Sequence, residues 1–409
     1  MNYHINIIVM NQHIVKDSRN EDAIIFLPSD QIEESTMSMV EDLAKCDIFH
    51  HIRVMPDCHS SVNCCVGFTC LIKDKVIPNI VGGDIGCGIS CYPLNKKIKE
   101  KQYSKIDTIV KQVVPIGHNV HLESLASETV MNNIFKECNV NLQYLKERFP
   151  GCDFIEYNND YYQELISKLD NHTHPSIFMR ALGTLGSGNH YIEFNEDNQG
   201  KSYVTIHSGS RAIGQAICRY HQKKAKKNKN DKLLQTYLEG DDMIEYLIDM
   251  IFAQVFASKN RSIMIQLICR EMGVEFKTEN VIETTHNYID FKRFILRKGA
   301  ISAEEEEACL ISLNMRDGVL LCQGKGNENW NYSSAHGCGR ILSRGEAKKM
   351  FRMKDFEKEM RDVYSSSICK ETLDEAPMAY KDVEMIKKYI GENINIIDQL
   401  KPIINIKGY

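Results

Sequence analysis

Five residues far apart in the chain, Asp84, Cys87, His190, His207 and His286, offer one carboxylate, one thiol and three imidazoles. Each stands beside a glycine, a small residue or an asparagine, which lets a dense cluster form without crowding. Any one of these histidines, taken alone, reads as a hydrogen-bonded core imidazole. Together they form a mixed oxygen, sulfur and nitrogen set that could hold one metal ion fully or bridge two through the thiolate. That set suits Mn2+ or Zn2+ better than Ca2+.

His336 stands apart from the five, between Ala335 and Gly337, with Arg340 and Arg344 following. An imidazole with a reference pKa of about 6.5 is largely unprotonated at pH 7, whereas a lysine near 10.4 needs strong depression before it can attack. Histidine is therefore a ready nucleophile for a phosphorus centre. Gly337 and Gly339 allow close approach of backbone to an oxyanion, and Arg340 can neutralise charge on a transferring group. Arg211 closes His207-Ser-Gly-Ser-Arg and opens a helical pattern, so its guanidinium and the first amides of that helix suggest a phosphate site. The glycines from Gly183 to Gly188 are not followed by Lys-Ser/Thr and do not make a P-loop.

These side chains need elements to carry them. Residues 183–194 and 203–211 read as two strands of a hairpin closed through the loop Asn195 to Lys201. With the centre between Asn198 and Gln199, His190 falls directly opposite His207. Val54 to Ile72 reads as strands around a polar loop, and Ile77 to Ile89 as a strand running into the glycine-dense Val81-Gly-Gly-Asp-Ile-Gly-Cys-Gly88. Helical spacing spans Leu122 to Leu169, then Ala212 to Lys227, then Asp241 to Arg270, the last assigned to the core with no chemistry of its own. Thr284 to Ile289 is strand-like and Arg297 to Ala300 a turn. Ser343-Arg-Gly-Glu346 has capping-box spacing for a helix start, and Val383 through Leu400 into Lys401 to Gly408 reads as helix and then final strand.

The bulk numbers exclude several classes. The 409 residues, 43% hydrophobic and 26% charged, contain no run of 18 uncharged apolar residues to span a membrane. The first residues, Met1 to Ile8, lack a basic segment and a cleavage site, so secretion is not expected and the cytoplasm is the expected location. Fifteen cysteines is an odd number without repeated CxxC spacing, which points to reduced core thiols. A net charge of −5 leaves nucleic-acid contact to local clusters. Lys223, Lys224, Lys226, Lys227 and Lys229 form one such cluster, whose plainer and favoured reading is a solvated helix end with a loop.

In this order along nearly the whole chain, Met55-Pro-Asp-Cys-His59, Val81 to Gly88, Gly186-Ser-Gly-Asn-His190, His207 to Arg211, His286-Asn287, Arg297 to Ala300, His336-Gly-Cys-Gly-Arg340, Ser343-Arg344 and Lys407-Gly408 carry a resemblance. The sequence resembles the RtcB family of GTP- and Mn2+-dependent RNA ligases. The resemblance implies two Mn2+ ions held by Asp84, Cys87, His190, His207 and His286, with Cys87 shared and His190 and His207 serving neighbouring ions. It implies that His336 takes GMP covalently, and that Asn189, Glu193, Asn287, Gly337, Gly339, Tyr380 and Lys407 line the guanylate pocket. Arg211, Arg340 and Arg344 would face RNA phosphates or the leaving pyrophosphate. The implied substrates are GTP and RNA with a 2′,3′-cyclic phosphate or 3′-phosphate at one end and a 5′-hydroxyl at the other. An activating protein factor is a further candidate partner.

The expected architecture is a single α+β domain over residues 1–409. It would have packed β-sheets flanked by helices, a deep metal and nucleotide cleft, a helical insertion at about 120–172 and a long helical segment at about 212–272. The sequence departs from the family at Ser60-Ser-Val-Asn-Cys64, where a Gly-Lys-Gly run is usual, and at Ser312 to Gly318, where Asn314 stands in place of a serine. Cys338 replaces the usual alanine beside the nucleophile. These departures suggest a branch devoted to RNA repair. Two other readings keep part of the chemistry: a metal-dependent RNA cyclic phosphodiesterase or phosphatase without ligation, and an RNA-binding protein with a degenerate site.

Overall fold

Short apolar runs broken by glycine build two large sheets and two two-stranded ones, and the large sheets share part of their core. The computed structural model describes residues 12–169, 174–228 and 233–409; Met1 to Ile8 and Lys229 lie outside the described residues. One sheet has six strands, ordered His13–Lys16, Asp22–Ile25, His50–His59, Val66–Leu71, Ile295–Lys298 and Asn287–Asp290. The other has seven, ordered Ile282–Thr285, Gly88–Pro93, Ser202–Ser208, Tyr191–Glu196, Ile394–Lys407, Val319–Gly324 and Ala308–Ser312. Phe26 and Met55 of the first region pack with Ile311, Leu320 and Cys322 of the second. The architecture is α+β, as expected.

His286 sits where the chain changes sheets. Thr285 pairs with Gly88 in the seven-stranded sheet, and Asn287 pairs with Lys298 in the six-stranded one. His336 ends the strand Ser333–Ala335, which pairs with Ala300–Ser302, and its carbonyl accepts from the backbone of Ser312 at 3.0 Å. Nucleophile and ligand candidates thus lie at strand ends, where the ladder stops and side chains are free to converge.

The helix Gly240–Met272 ties the two sheets together. At 33 residues it is about 50 Å long. Its first half, through Met243, Leu247 and Phe252, packs in the core containing Val54, Phe68 and Leu296 of the six-stranded sheet. Its second half, through Met264, Ile265 and Ile268, packs on Ile192, Ile206 and Ile404 of the seven-stranded sheet. Glu128–Arg148 and Asn159–Lys168 cover the first core, each capped by the side chain expected of a helix start, Ser127 and Asn158. Leu122, which fits the helical spacing, precedes that cap and is exposed.

Three sequence expectations change. Residues 77–89 are not a strand: Pro78 takes the first position of the one-turn helix Pro78–Val81, and the strand begins only at Gly88. The helix of the tail is short, Val383–Ile390, and the final strand Ile394–Lys407 is long. It tolerates Pro402 because the register shifts there between Pro402 and Ile404, removing the need for that N–H. The hairpin is out by one residue: Tyr191, not His190, lies opposite His207. Five residues, Asp197 to Lys201, join the strands, with Gly200 at φ 75 and the Asp197 carboxylate accepting from the amides of Gln199 and Lys201, so the centre falls on Gln199. The capping box at Ser343 and Glu346 forms as anticipated.

All fifteen cysteines are unpaired, and thirteen are buried. Among the described residues, no helix is long and apolar enough to cross a membrane.

Candidate active site

His190 precedes its strand, yet its ring still meets that of His207, with centroids 5.3 Å apart. The contact depends on Gly186, whose φ of 94 turns the chain and whose missing side chain leaves room for the His190 ring and the Arg211 guanidinium. Across the site, a side chain at Gly209 would collide with the Asp84 carboxylate.

The donors converge on a buried thiol. Cys87 Sγ is 3.2 Å from His207 Nε2 and 3.5 Å from His190 Nε2. His207 Nε2 is 3.1 Å from His286 Nε2, and His190 Nε2 is 3.2 Å from Asp84 Oδ2. The outer nitrogens explain the inward aim: His190 Nδ1 donates to the Leu185 carbonyl at 2.9 Å and His207 Nδ1 to the Asn189 carbonyl at 3.1 Å. Their Nε2 lone pairs are left facing one another and the sulfur, an arrangement that a cation resolves. Burial, followed by the neighbouring imidazoles, keeps the pKa of His207 and His286 well below the ordinary value, so both offer lone pairs at neutral pH. Burial and the Asp84 charge raise the Cys87 thiol, so a metal binding there must displace its proton. The donor set fits a transition-metal ion: all five sequence-picked ligands come together.

The long helix holds these donors from behind. Asn260 donates to the carbonyls of Thr184 and Gly209 at 3.1 Å and accepts from the amides of Gly183 and Thr184. Arg261 donates to the carbonyls of Gly86 and Ser208, both at 2.8 Å, and pairs with Glu283. Both residues are fully buried. Asn260 and Arg261 stand among the polar residues of this helix, and assigning it to the core with no chemistry of its own passed over them.

His336 faces the same cluster, its ring centroid 4.9 Å from that of His286. Asp57, fully buried, was quoted in a motif but given no role by sequence. Its Oδ2 accepts from His336 Nδ1 at 2.6 Å and from the amides of His336 and Gly337 at 3.0 and 3.1 Å. The carboxylate only accepts, so in the neutral imidazole the proton lies on Nδ1 and the lone pair on Nε2.

A cleft of about 990 Å3 opens over His336 and His207. Of the sequence-assigned nucleotide contacts, Asn189, Glu193, Gly337, Gly339, Tyr380 and Lys407 line it, as do Arg340 and Arg344. Buried Glu193 accepts from Asn195 at 3.0 Å and Asn405 at 2.6 Å, and burial lifts its pKa to about 7. Two assigned residues lie elsewhere. Asn287 does not line the cleft; its amide donates to the carbonyls of Val81 and Asp84, both at 2.9 Å, and so fixes the loop carrying Asp84. Arg211 does not line it either, because its guanidinium is taken by Thr184 Oγ1 at 3.1 Å and the Gly117 carbonyl at 3.0 Å.

Glu375 is another residue the sequence reading missed. Burial opposes its ionisation, but Lys407, Arg344 and Arg340 hold its pKa down at about 2. The family departures also find places. Ser60, Ser61 and Val62 line the cleft, with Val62 exposed, and Cys338 is buried. Asn314 spends its side chain on its own turn, donating to Asp317 at 2.7 Å, while Ser312 also lines the cleft and bonds the Tyr191 hydroxyl at 2.8 Å. The basic cluster is partly used up, since Lys224 is paired with Asp242 and Glu245.

The family model for the tRNA-splicing ligase RtcB matches residues 39–408. The chain belongs to the RtcB family. It is 29% identical over 392 residues to the RNA-splicing ligase RtcB of Escherichia coli strain K12, covering 88% of this chain and 91% of that protein. RtcB1 of Escherichia coli strain ATCC 25922 is 30% identical with the same coverage. The tRNA-splicing ligase RtcB of Nanoarchaeum equitans is 26% identical over 92% of this chain and 91% of its own length. The match to RtcB proteins thus runs across the donor cluster, His336 and the cleft alike.

Proposed function

We propose that this protein is an RNA ligase, a single catalytic domain that uses GTP and Mn2+ to join an RNA end bearing a 2′,3′-cyclic phosphate or 3′-phosphate to a 5′-hydroxyl end. The observation that carries the reading is His336: Nδ1 lies 2.6 Å from buried Asp57 Oδ2, with the ring against the donor cluster and facing the cleft. Family membership supports RNA joining, in repair or in tRNA splicing.

Asp84, Cys87 and His190 would hold one Mn2+, and Cys87, His207 and His286 the other, with the thiolate shared. When bound, such ions neutralise phosphate oxygens and orient the reacting phosphorus. His336 Nε2 attacks the α-phosphorus of GTP, the nitrogen–phosphorus bond forms and pyrophosphate leaves. Asp57 stabilises the charge that develops on the imidazole. Glu193, Tyr380, Asn189 and Lys407 line the pocket for the guanylate, with Gly337 and Gly339 leaving backbone close to it, while Arg340 and Arg344 meet phosphate charge. Water opens a cyclic phosphate to the 3′-phosphate, GMP passes from His336 to that phosphate, and the 5′-hydroxyl then displaces GMP. Arg211 and Asn287 act from outside the cleft, by holding the loops that carry the ligands. Fifteen unpaired thiols support a reducing compartment, the cytoplasm.

The test is incubation with α-labelled GTP and Mn2+, followed by a chase with RNA carrying a 3′-phosphate. Acid-labile label on the protein that moves to RNA is expected. Opening of a cyclic phosphate without protein label would select the phosphodiesterase reading. RNA binding without turnover would select the degenerate one.

A further inference from the structure

Three cations and a phenol around the cleft converge on one carboxylate. Glu375 ends the short turn Leu373–Glu375 and is buried. Its Oε1 accepts from Arg344 Nη1 at 2.6 Å and Arg340 Nη1 at 3.2 Å, and its Oε2 from the Tyr380 hydroxyl at 2.8 Å and Lys407 Nζ at 3.0 Å. These partners come from separate places: the segment after His336, the first turn of the helix Arg344–Met350, the residue after Pro377–Ala379, and the end of the strand Ile394–Lys407. Lys407 Nζ also reaches the Gly188 carbonyl at 3.4 Å, next to Asn189 and His190. One buried anion therefore connects the nucleophile segment, the C-terminal strand and the glycine-rich segment.

Three like charges this close repel; without Glu375, Arg344 would keep Asp374 at 2.7 Å and Arg340 the carbonyls of Asp374 and Leu342, but no carboxylate would hold both guanidinium groups beside Lys407, whose buried ammonium would lose its partner. With Glu375 in place the array keeps a net positive charge and fixed directions. We propose that Glu375 is a positioning residue for guanylate transfer, the carboxylate that holds Arg340 and Arg344 where they meet the phosphates of a nucleoside triphosphate and Tyr380 and Lys407 where they line the guanylate pocket. The inference rests on the ligase reading above.

Removing this charge has two opposed effects. The array loosens, which slows transfer, while the local potential becomes more positive, which attracts a triphosphate. The signature is a fall in the rate at saturating GTP without a rise in the GTP concentration that half-saturates. A merely structural residue would instead lower the melting temperature and leave the folded fraction active at the normal rate.

The experiment measures protein labelling by α-labelled GTP in Mn2+ across GTP concentrations, for the full chain and for Glu375→Gln and Glu375→Asp. Melting temperature and Mn2+ affinity are read on the same samples. Glu375→Gln is expected to lower the saturating rate roughly a hundredfold. Its half-saturating GTP should stay within about threefold, with Mn2+ affinity unchanged. Glu375→Asp, which keeps the charge but withdraws it, should recover part of the rate. A wild-type rate in Glu375→Gln, or a raised half-saturating GTP at unchanged maximum, overturns the inference. If Glu375→Gln does not fold, Glu375→Asp decides: a wild-type rate overturns the inference, and a reduced rate at wild-type melting temperature supports it. Absence of label on the unsubstituted protein would overturn the ligase reading itself, and the inference with it.

Discussion

Two buried clusters in this molecule draw on the same residue types and do different things. Cys87, His190 and His207, with Asp84 and His286 beside them, form one; His221, Glu245 and Asp249 form the other. In the second, the place a metal would take is filled by ammonium groups. Lys168 Nζ lies 2.8 Å from both Glu245 Oε1 and Asp249 Oδ2, and Lys224 Nζ lies 2.6 Å from Glu245 Oε2. His221 Nε2 completes the network 2.7 Å from Asp249. In the first, among the described residues, no lysine or arginine is hydrogen-bonded to a donor atom of Cys87, His190, His207 or His286. Imidazole nitrogens instead approach one another and a sulfur. Ligand-type residues alone do not make a metal site; an internal counter-cation turns the same chemistry into a structural ion-pair network.

The strongest way to break this comparison is at His336. His336→Ala should abolish protein labelling and RNA joining while leaving Mn2+ binding intact, checked by the label assay and by calorimetry; intact joining would sink the reading. Asp57→Asn should lower the labelling rate by roughly 10²- to 10⁴-fold, because an amide facing Nδ1 no longer fixes the tautomer. A rate near wild type would leave Asp57 with no part in the chemistry.

Smaller effects separate the clusters from each other. Cys87→Ala should weaken Mn2+ binding about 100-fold or more in calorimetry, whereas His221→Ala should leave affinity unchanged. Lys168→Met should leave labelling unchanged but destabilise the fold by about 3 kcal/mol, since it strips a counter-charge from fully buried Asp249. Denaturant unfolding would check this.

The smallest effect is in acid. Although burial works the other way, Lys168 and Lys224 hold the Glu245 pKa at about 2, below the reference value of 4.5. Its contribution to stability is therefore fully present above pH 4.5 and lost as pH falls toward 2. Melting curves of Glu245→Gln and the parent should converge across that window; a constant gap would contradict the ion-pair account.

The candidate donor cluster was legible in the sequence because its residue types are unusual and stand beside glycine or small polar neighbours, and because each motif is short. His336 was legible for the same reason. What was not legible is convergence between distant segments. Asp57 reaches His336 across 279 positions, Lys407 reaches Glu375 across 32, and Asn260 reaches Thr184 across 76. In sequence these are ordinary polar residues in a strand, a turn and a helix. The hairpin register failed on a single count: the turn was centred between Asn198 and Gln199, whereas Gly200 and Asp197 close it on Gln199, and that half-position moves every partner by one. Asn287 and Arg211 lie outside the cleft, Asn287 bonded to the carbonyls of Val81 and Asp84 and Arg211 to the Gly117 carbonyl and the Thr184 hydroxyl.

The central claim is that the cluster lacking an internal cation holds the metal ions and the cluster containing lysines holds none. Anomalous diffraction from crystals of the protein soaked in Mn2+ tests it directly. The account expects two peaks, one among Asp84, Cys87 and His190 and one among Cys87, His207 and His286, with no peak at His221. A peak between His221, Glu245 and Asp249, or none at Cys87, would contradict it.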